Sequence, residues 1–226
     1  LLHRFYNTVF SGDHSMLTEK QWLIVWVCLV TVAVSALFAW LAYSVGQDAN
    51  FDFYNYPFYN AYSFLNDRFW FDIQAAQRQN YFNPFPDIPF YWLTQEFDST
   101  VASMAYAVVQ AWHAPAVFIL SFVLLRSQSV RLPIALLVSV LITAVAVLAP
   151  LNFRLVGTLT GDTTTAMLVI AGLACFAMAM SQTAAGQDRV IKQWMFGFAG
   201  LLVGLGVGLK LTNGPFAVAL VACGFL

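Results

Sequence analysis

Charge is the scarcest commodity in this chain: Asp, Glu, Lys and Arg supply 9% of its 226 residues, against 60% hydrophobic residues. A soluble domain of this size uses about 25% charged residues to cover its surface, so the balance excludes one and points to a protein whose surroundings are lipid. The ten basic residues are scattered rather than clustered, which excludes the electrostatic footprint of a nucleic-acid binder. Cysteine is equally sparse. Cys28, Cys175 and Cys223 all fall inside apolar runs, so they form neither a zinc-site spacing nor a disulfide framework and read as small packing residues. No glycine-rich phosphate loop, zinc motif or nucleophile elbow occurs.

What the chain has in abundance is apolar length. Crossing about 30 Å of hydrocarbon takes roughly 20 apolar residues, and Trp22 to Val45, Val101 to Leu125, Leu132 to Ala149, Thr163 to Ser181 and Trp194 to about Leu209 are read as spans. A last run, Leu211 to Leu226, is still apolar where the sequence ends, and the first residue is not methionine, so the chain reads as the N-terminal part of a longer protein. The first run is too long for a signal-peptide core and lacks a small-x-small cleavage site, which makes it a permanent helix. The expected organisation is a cytoplasmic segment over 1–21, a first transmembrane helix over 22–45, an external loop over 46–99, and about five further transmembrane helices over 100–226.

Orientation follows from the basic residues that flank the spans. With the N-terminus in the cytoplasm, Arg4, Lys20, Arg126, Arg131, Arg189 and Lys192 lie inside beside only Asp13, Glu19 and Asp188. Outside lie Arg68, Arg78, Arg154 and Lys210 with eight acids, seven of them in the 46–99 loop and the eighth Asp162. The loop therefore faces the periplasm, cell exterior or lumen. Ahead of the first span, Phe5, Tyr6 and Phe10 beside Arg4 fit the cytoplasmic interface.

The loop is dense in aromatic side chains. Asn55-Tyr56-Pro57 is a helix start, with proline in the first turn and asparagine as a cap. Phe58, Ala61, Tyr62 and Leu65 recur at helical spacing, which predicts an amphipathic helix in the membrane surface. A second, more polar helix is expected over Asp72 to Asn80. The three prolines of Asn83-Pro84-Phe85-Pro86-Asp87-Ile88-Pro89 predict a rigid extended turn, after which Phe90, Tyr91 and Trp92 return the chain to the interface.

Candidate chemistry concentrates at the outer boundary. Asp48 and Asp52 are four apart, so a continuing helical turn puts both on one face. A carboxylate in a partly desolvated aromatic setting can take a proton from a substrate hydroxyl, and solvated loop acids are the plainer alternative. Arg154 and Lys210 are cations at outer span ends, suited to a phosphate or diphosphate or simply snorkelling to the interface. Asp162 can cap the helix that follows it. His113, inside the second span, is expected to hydrogen-bond a neighbouring helix rather than bind a metal or pigment. Gly197, Gly200, Gly204 and Gly208 recur at spacings of three and four and predict a smooth helix-packing strip.

The succession Asp52-Phe53-Tyr54-Asn55-Tyr56-Pro57-Phe58-Tyr59-Asn60, then Asp72 to Gln79, then Tyr81-Phe82-Asn83-Pro84-Phe85-Pro86-Asp87-Ile88-Pro89-Phe90-Tyr91 resembles polytopic membrane glycosyltransferases of the C-type (GT-C) fold, in particular the bacterial group near glycosyltransferase family 87. Gly161-Asp162-Thr163-Thr164-Thr165 and Gly208-Leu209-Lys210-Leu211-Thr212-Asn213 look like further segments of such proteins. The resemblance implies an all-α, polytopic transmembrane fold in the bacterial inner membrane, whose long external loop forms interfacial helices. It also implies transfer of a sugar from a polyprenyl-phosphate donor on the outer face, with an acidic residue of that loop as base. Asp52 matches that position best, with Asp48 in reserve and Tyr56 and Asn55 alongside as substrate-binding residues. Charge and side make Arg154 and Lys210 the candidates for the lipid phosphate. The lipid-linked sugar is a substrate rather than a cofactor, no cofactor or metal ligand is expected, and a divalent-metal requirement stays open. Membrane lipid is an expected partner, and nucleic acid is not. The alternative is a non-catalytic transmembrane subunit packed against other membrane proteins.

Overall fold

In hydrocarbon a backbone amide has no partner but another amide, and long apolar runs therefore close their hydrogen bonds within helices. The computed structural model describes residues 16–46, 48, 51–74, 76–181 and 189–224, and it is all-helical, with no strand among the described residues. The expected interfacial placement of Phe5, Tyr6 and Phe10 lies outside the described residues.

Helix α1 (Met16–Val45) leads to the loop, which contains α2 (Phe51–Asn55), α3 (Pro57–Leu65), a 3-10 turn (Gln77–Tyr81) and α4 (Ile88–Glu96). Then come α5 (Ser99–Ala111), α6 (His113–Ser127), α7 (Leu132–Val147), the short α8 (Pro150–Leu155), α9 (Asp162–Ser181), α10 (Arg189–Leu209), a 3-10 turn (Leu211–Asn213) and α11 (Gly214–Gly224). Among the described residues, four segments are long and apolar enough to cross a membrane: Gln21–Val45, Ser99–Ser127, Asp162–Ser181 and Arg189–Leu209. The expected span from Leu132 is shorter: α7 has 16 residues, about 24 Å at 1.5 Å per residue. The last apolar run is broken by its 3-10 turn, which leaves α11 with 11 residues.

The second long span bends at Trp112, where α5 gives way to α6. Pro115 is the cause, since it has no amide to donate to Ala111 and its ring crowds that carbonyl. The freed polar groups are used locally. His113 Nδ1 donates to the Gln110 carbonyl at 2.6 Å, and Asn152 donates to His113 Nε2 at 3.1 Å and to the Ala146 carbonyl at 2.7 Å. His113 is thus a neutral, hydrogen-bonded histidine whose inter-element partner lies on α8. The Gln110 side chain, fully buried, donates to the carbonyls of Leu155 and Thr158 at 3.1 and 2.9 Å and accepts from the Gly157 amide at 2.8 Å. It pins the 155–158 turn against the middle of the span.

Small residues let these elements approach. Ala107, Ala111 and Ala114 are fully buried and pack with Phe38, Leu41 and Ala42 of α1. Gly157 has φ +74°, and a Cβ on it would sit 3.2 Å from Ala42 Cβ. The α9–α10 contact rests on Gly172 and Gly206: a Cβ on the first would come 2.6 Å from Val203 Cγ2, and on the second 2.9 Å from Val169 Cγ2. The expected strip is a different surface. Gly197, Gly200, Gly204 and Gly208 meet nothing within 4 Å, because α10 turns its Gly206 side to α9 and the strip outward.

The bundle has two distinct ends. At one, Glu19 near the start of α1 takes two hydrogen bonds from Arg126 at the end of α6, at 2.8 and 3.2 Å. At the other, α1 and α10 end, α5 and α9 begin, and the loop seats. Asn83 Nδ2 donates to the Gly208 carbonyl at 2.8 Å, and Asp48 Oδ2 accepts from the Leu159 amide at 3.2 Å.

Within the loop, Asn80 links three segments, donating to the Asn55 carbonyl at 2.9 Å and Asn60 Oδ1 at 3.0 Å while accepting from the Ala76 amide at 2.6 Å. The polar helix expected over 72–80 is instead a turn followed by the 3-10 segment, because these asparagine bonds satisfy the backbone without an α-helical ladder. Asn55 does not cap α3: its amide donates back to the Phe51 carbonyl at 2.7 Å, and Tyr56 holds the cap position. The extended turn after Asn83 closes sooner than expected, at Asp87, since Pro89 occupies the first turn of α4, where a missing amide costs nothing.

Two predictions follow from the packing. Gln110→Leu strands the Thr158 carbonyl and the Gly157 amide in the interior, while the Leu155 carbonyl keeps its bonds from Thr158, and thermal unfolding in detergent is expected to show a loss on the order of 3 kcal/mol; an unchanged midpoint would show that the 155–158 turn does not need the amide. Gly206→Ala is expected to lower the same midpoint, whereas Gly204→Ala raises it or leaves it alone, by up to about 1 kcal/mol of helix propensity.

Candidate functional site

At the loop end of the bundle, ionisable side chains from four separated segments come within electrostatic reach of one another. Lys210, just past α10, places its ammonium 2.5 Å from Asp162 Oδ1 at the start of α9 and donates to the Thr160 carbonyl at 2.5 Å. The side chain of Asp162 therefore serves an ion pair. Asp87 arrives from the proline-rich turn, anchored by the neighbouring Asn83–Gly208 hydrogen bond, and lies within electrostatic reach of Lys210. Desolvation of the half-buried Asp87 pushes its carboxyl up to about 8, with Lys210 opposing the shift. The acid is accordingly protonated for the most part at neutral pH.

Tyr56 joins from the α2–α3 junction, half-buried, its ring edge-on to Phe82 at 6.3 Å. Its hydroxyl is raised above the ordinary phenol value by burial first and then by Asp52, Asp87 and Asp162 in turn, so it lies within electrostatic reach of all three carboxyl groups. Beneath them Tyr106 of α5 packs edge-on to Phe90 at 5.1 Å, and Phe90 packs edge-on to Phe53 at 5.8 Å. This aromatic floor joins α2, α4 and α5, which gives the loop a fixed seat on the spans.

The residues singled out in the sequence separate. Asp52, in the first turn of α2, is exposed and near Tyr56, whereas Asp48 is buried and turned inward to the Leu159 amide. The two carboxylates thus part rather than sharing an outward helical face, and Asp48 ties the loop to the 155–161 turn. Lys210 belongs to the cluster. Arg154 is exposed on α8, and none of the ion pairs among the described residues includes it. Asn55 spends its amide and carbonyl within the loop. Among the described residues, no group of three or more His, Cys, Asp or Glu side chains is arranged to hold a metal ion.

Asp87 is the group that sequence reasoning passed over. An acid between prolines reads as a turn residue, and its partner Lys210 is too distant in the chain for any local spacing to reveal. Asp98 was also missed: it caps α5, accepting from the amides of Thr100 at 3.0 Å and Val101 at 3.1 Å.

Comparison of the chain with protein-family models, with curated proteins and with solved structures gives no match.

The raised acid has a thermodynamic consequence. Asp87 binds its proton more tightly folded than unfolded, so stability is greatest below the unfolded value near 4 and falls as pH rises toward 8. Thermal midpoints measured across that window should decline in the native protein and decline less in Asp87→Asn. Identical profiles would place Asp87 in water.

Proposed function

We propose that this chain is a polytopic membrane glycosyltransferase of the C-type fold that moves a sugar from a polyprenyl-phosphate donor to an acceptor hydroxyl at the outer membrane face. The observation that carries the reading is the convergence of Asp52, Tyr56, Asp87, Asp162 and Lys210 at the end of the bundle where the loop seats. A lipid-linked substrate presents its phosphate at the depth where membrane-spanning helices end, and charged groups held there meet it. The basic residues of the connections favour this end as the external one, and we set it on the outer face of a bacterial inner membrane.

In the proposed reaction the acceptor oxygen attacks the anomeric carbon while the bond from that carbon to the phosphate oxygen breaks. The acceptor proton passes to the exposed carboxylate of Asp52, and the electron pair of the broken bond leaves on the polyprenyl phosphate. Lys210 stabilises that departing charge electrostatically. Tyr56, standing near the carboxyl groups, presents an aromatic face and a hydroxyl suited to a sugar. Asp48, buried and bonded to Leu159, positions the loop rather than taking the proton.

The test begins with mass spectrometry of lipids extracted from the purified native protein and from Asp52→Asn. A polyprenyl-phosphate sugar enriched in the variant is the expected result and identifies the donor. With that donor in vesicles, Asp52→Asn and Lys210→Met should each slow transfer roughly 100-fold or more. Bulk phospholipid alone in both samples overturns the reading, and native transfer rates in Asp52→Asn remove that residue from the mechanism.

A further inference from the structure

Helix α3 is built inside out for a helix in water. Its buried side carries Asn60, Ala61 and Ser63, while Tyr62, Phe64 and Leu65 are exposed. The amide of Asn60 is satisfied inward, donating to the Gln79 carbonyl at 2.9 Å. Just beyond the helix the chain turns through Phe69-Trp70-Phe71-Asp72-Ile73, and there Trp70 is 82% exposed, Phe71 80% and Ile73 96%.

This exposure does not arise from a loose segment. Arg68 grips Asp72 with two hydrogen bonds, at 2.5 and 3.2 Å, and Tyr59 donates to the same carboxylate at 3.0 Å. The Arg68 amide bonds to the Ser63 carbonyl at 2.8 Å, Gln74 donates to the Phe69 carbonyl at 2.8 Å, and the Phe69 ring stands edge-on to Tyr81 at 5.2 Å. Contacts on both sides of the turn thus hold it in the conformation that presents three large apolar side chains outward.

We propose that this turn, continuous with the outward side of α3, is seated in the lipid surface and anchors the external loop to the bilayer. Charge argues for lipid over a water-soluble partner. Arg68 and Asp72 are paired with each other, and the guanidinium holds the Asp72 carboxyl below its ordinary value, so neither faces the interface as a lone charge. Tryptophan and its aromatic neighbours favour the headgroup boundary, where an apolar body and a polar edge both find partners. The loop is tied to span ends through Asn83–Gly208 and Asp48–Leu159, so the bilayer surface is its immediate neighbour.

The test uses the full chain in phosphatidylcholine vesicles, with Cys28, Cys175 and Cys223 replaced by alanine and an environment-sensitive fluorophore on Phe71→Cys or Ile73→Cys. Arg78→Cys, exposed and polar in the same loop, is the aqueous control. Emission from 71 and 73 should be blue-shifted, quenched several-fold more by doxyl-labelled phospholipid than emission from 78, and protected from iodide. Probes at 71 and 73 that behave like the probe at 78 overturn the proposal. A second measurement leaves the cysteines in place and keeps Trp70 as the single tryptophan, the other six replaced by phenylalanine: brominated phospholipid should quench its emission, and emission unmoved by the brominated lipid also overturns the proposal.

Discussion

The loop end of the molecule depends on one buried amide. Gln110 sits in the bend that Pro115 imposes on the second long span, and its side chain is fully hydrogen-bonded to the backbone of Leu155, Gly157 and Thr158. In hydrocarbon these bonds have no competitor in water, and leaving any of the groups unpaired costs a full desolvation penalty. With 155–158 fixed, the next residues are placed as well. The Leu159 amide meets Asp48, the Thr160 carbonyl meets Lys210, and Asp162 begins α9 within an ion-pair distance of the same lysine. A structural bend in mid-span is thereby converted into the position of charges at its end.

The loop reaches the same place by a different route. Asparagine amides hold its segments together, and aromatic edges join Phe53, Phe90 and Tyr106 into a floor between loop and span. Asp87 then enters the cluster on a turn whose neighbour Asn83 is bonded to α10. Both supports are short-range and directional, which suits a segment that must hold a carboxyl within electrostatic reach of a lysine.

Periodicity and length in the sequence revealed the long helices, since apolar runs of this kind admit no other solution. The long loop between the first two spans was legible too, because its aromatic and acidic composition differs from everything around it. What escaped was pairing across distance. Nothing local in Asn83-Pro84-Phe85-Pro86-Asp87 announces Gly208 or Lys210, and Asp162 reads equally well as a cap or as half of an ion pair. The glycines show the same limit from another side: spacing identified a strip on α10, but only the approach of α9 decides that Gly206, two residues from Gly204 and Gly208, is the one that needs to lack a side chain. Asp48 and Asp52 were expected to share a helical face because they are four apart, whereas the contact with Leu159 turns one inward and the other is exposed.

The charge arrangement also bears on how a phosphate is accommodated in the proposed transfer. An ammonium group has three donors, and Lys210 directs two contacts to Asp162 and the Thr160 carbonyl. One direction is left for a ligand oxygen, so a phosphate can approach without the existing pair being dismantled. Its obstacle is repulsion from the acids around it, on the order of 4 kcal/mol for each unit charge at 4 Å and an effective dielectric of 20. Burial of Asp87 removes one such charge at neutral pH. The hydrophobic seat of the proline-rich turn therefore does electrostatic work: by keeping one carboxyl neutral it lets a single lysine, already paired, remain attractive to an anion.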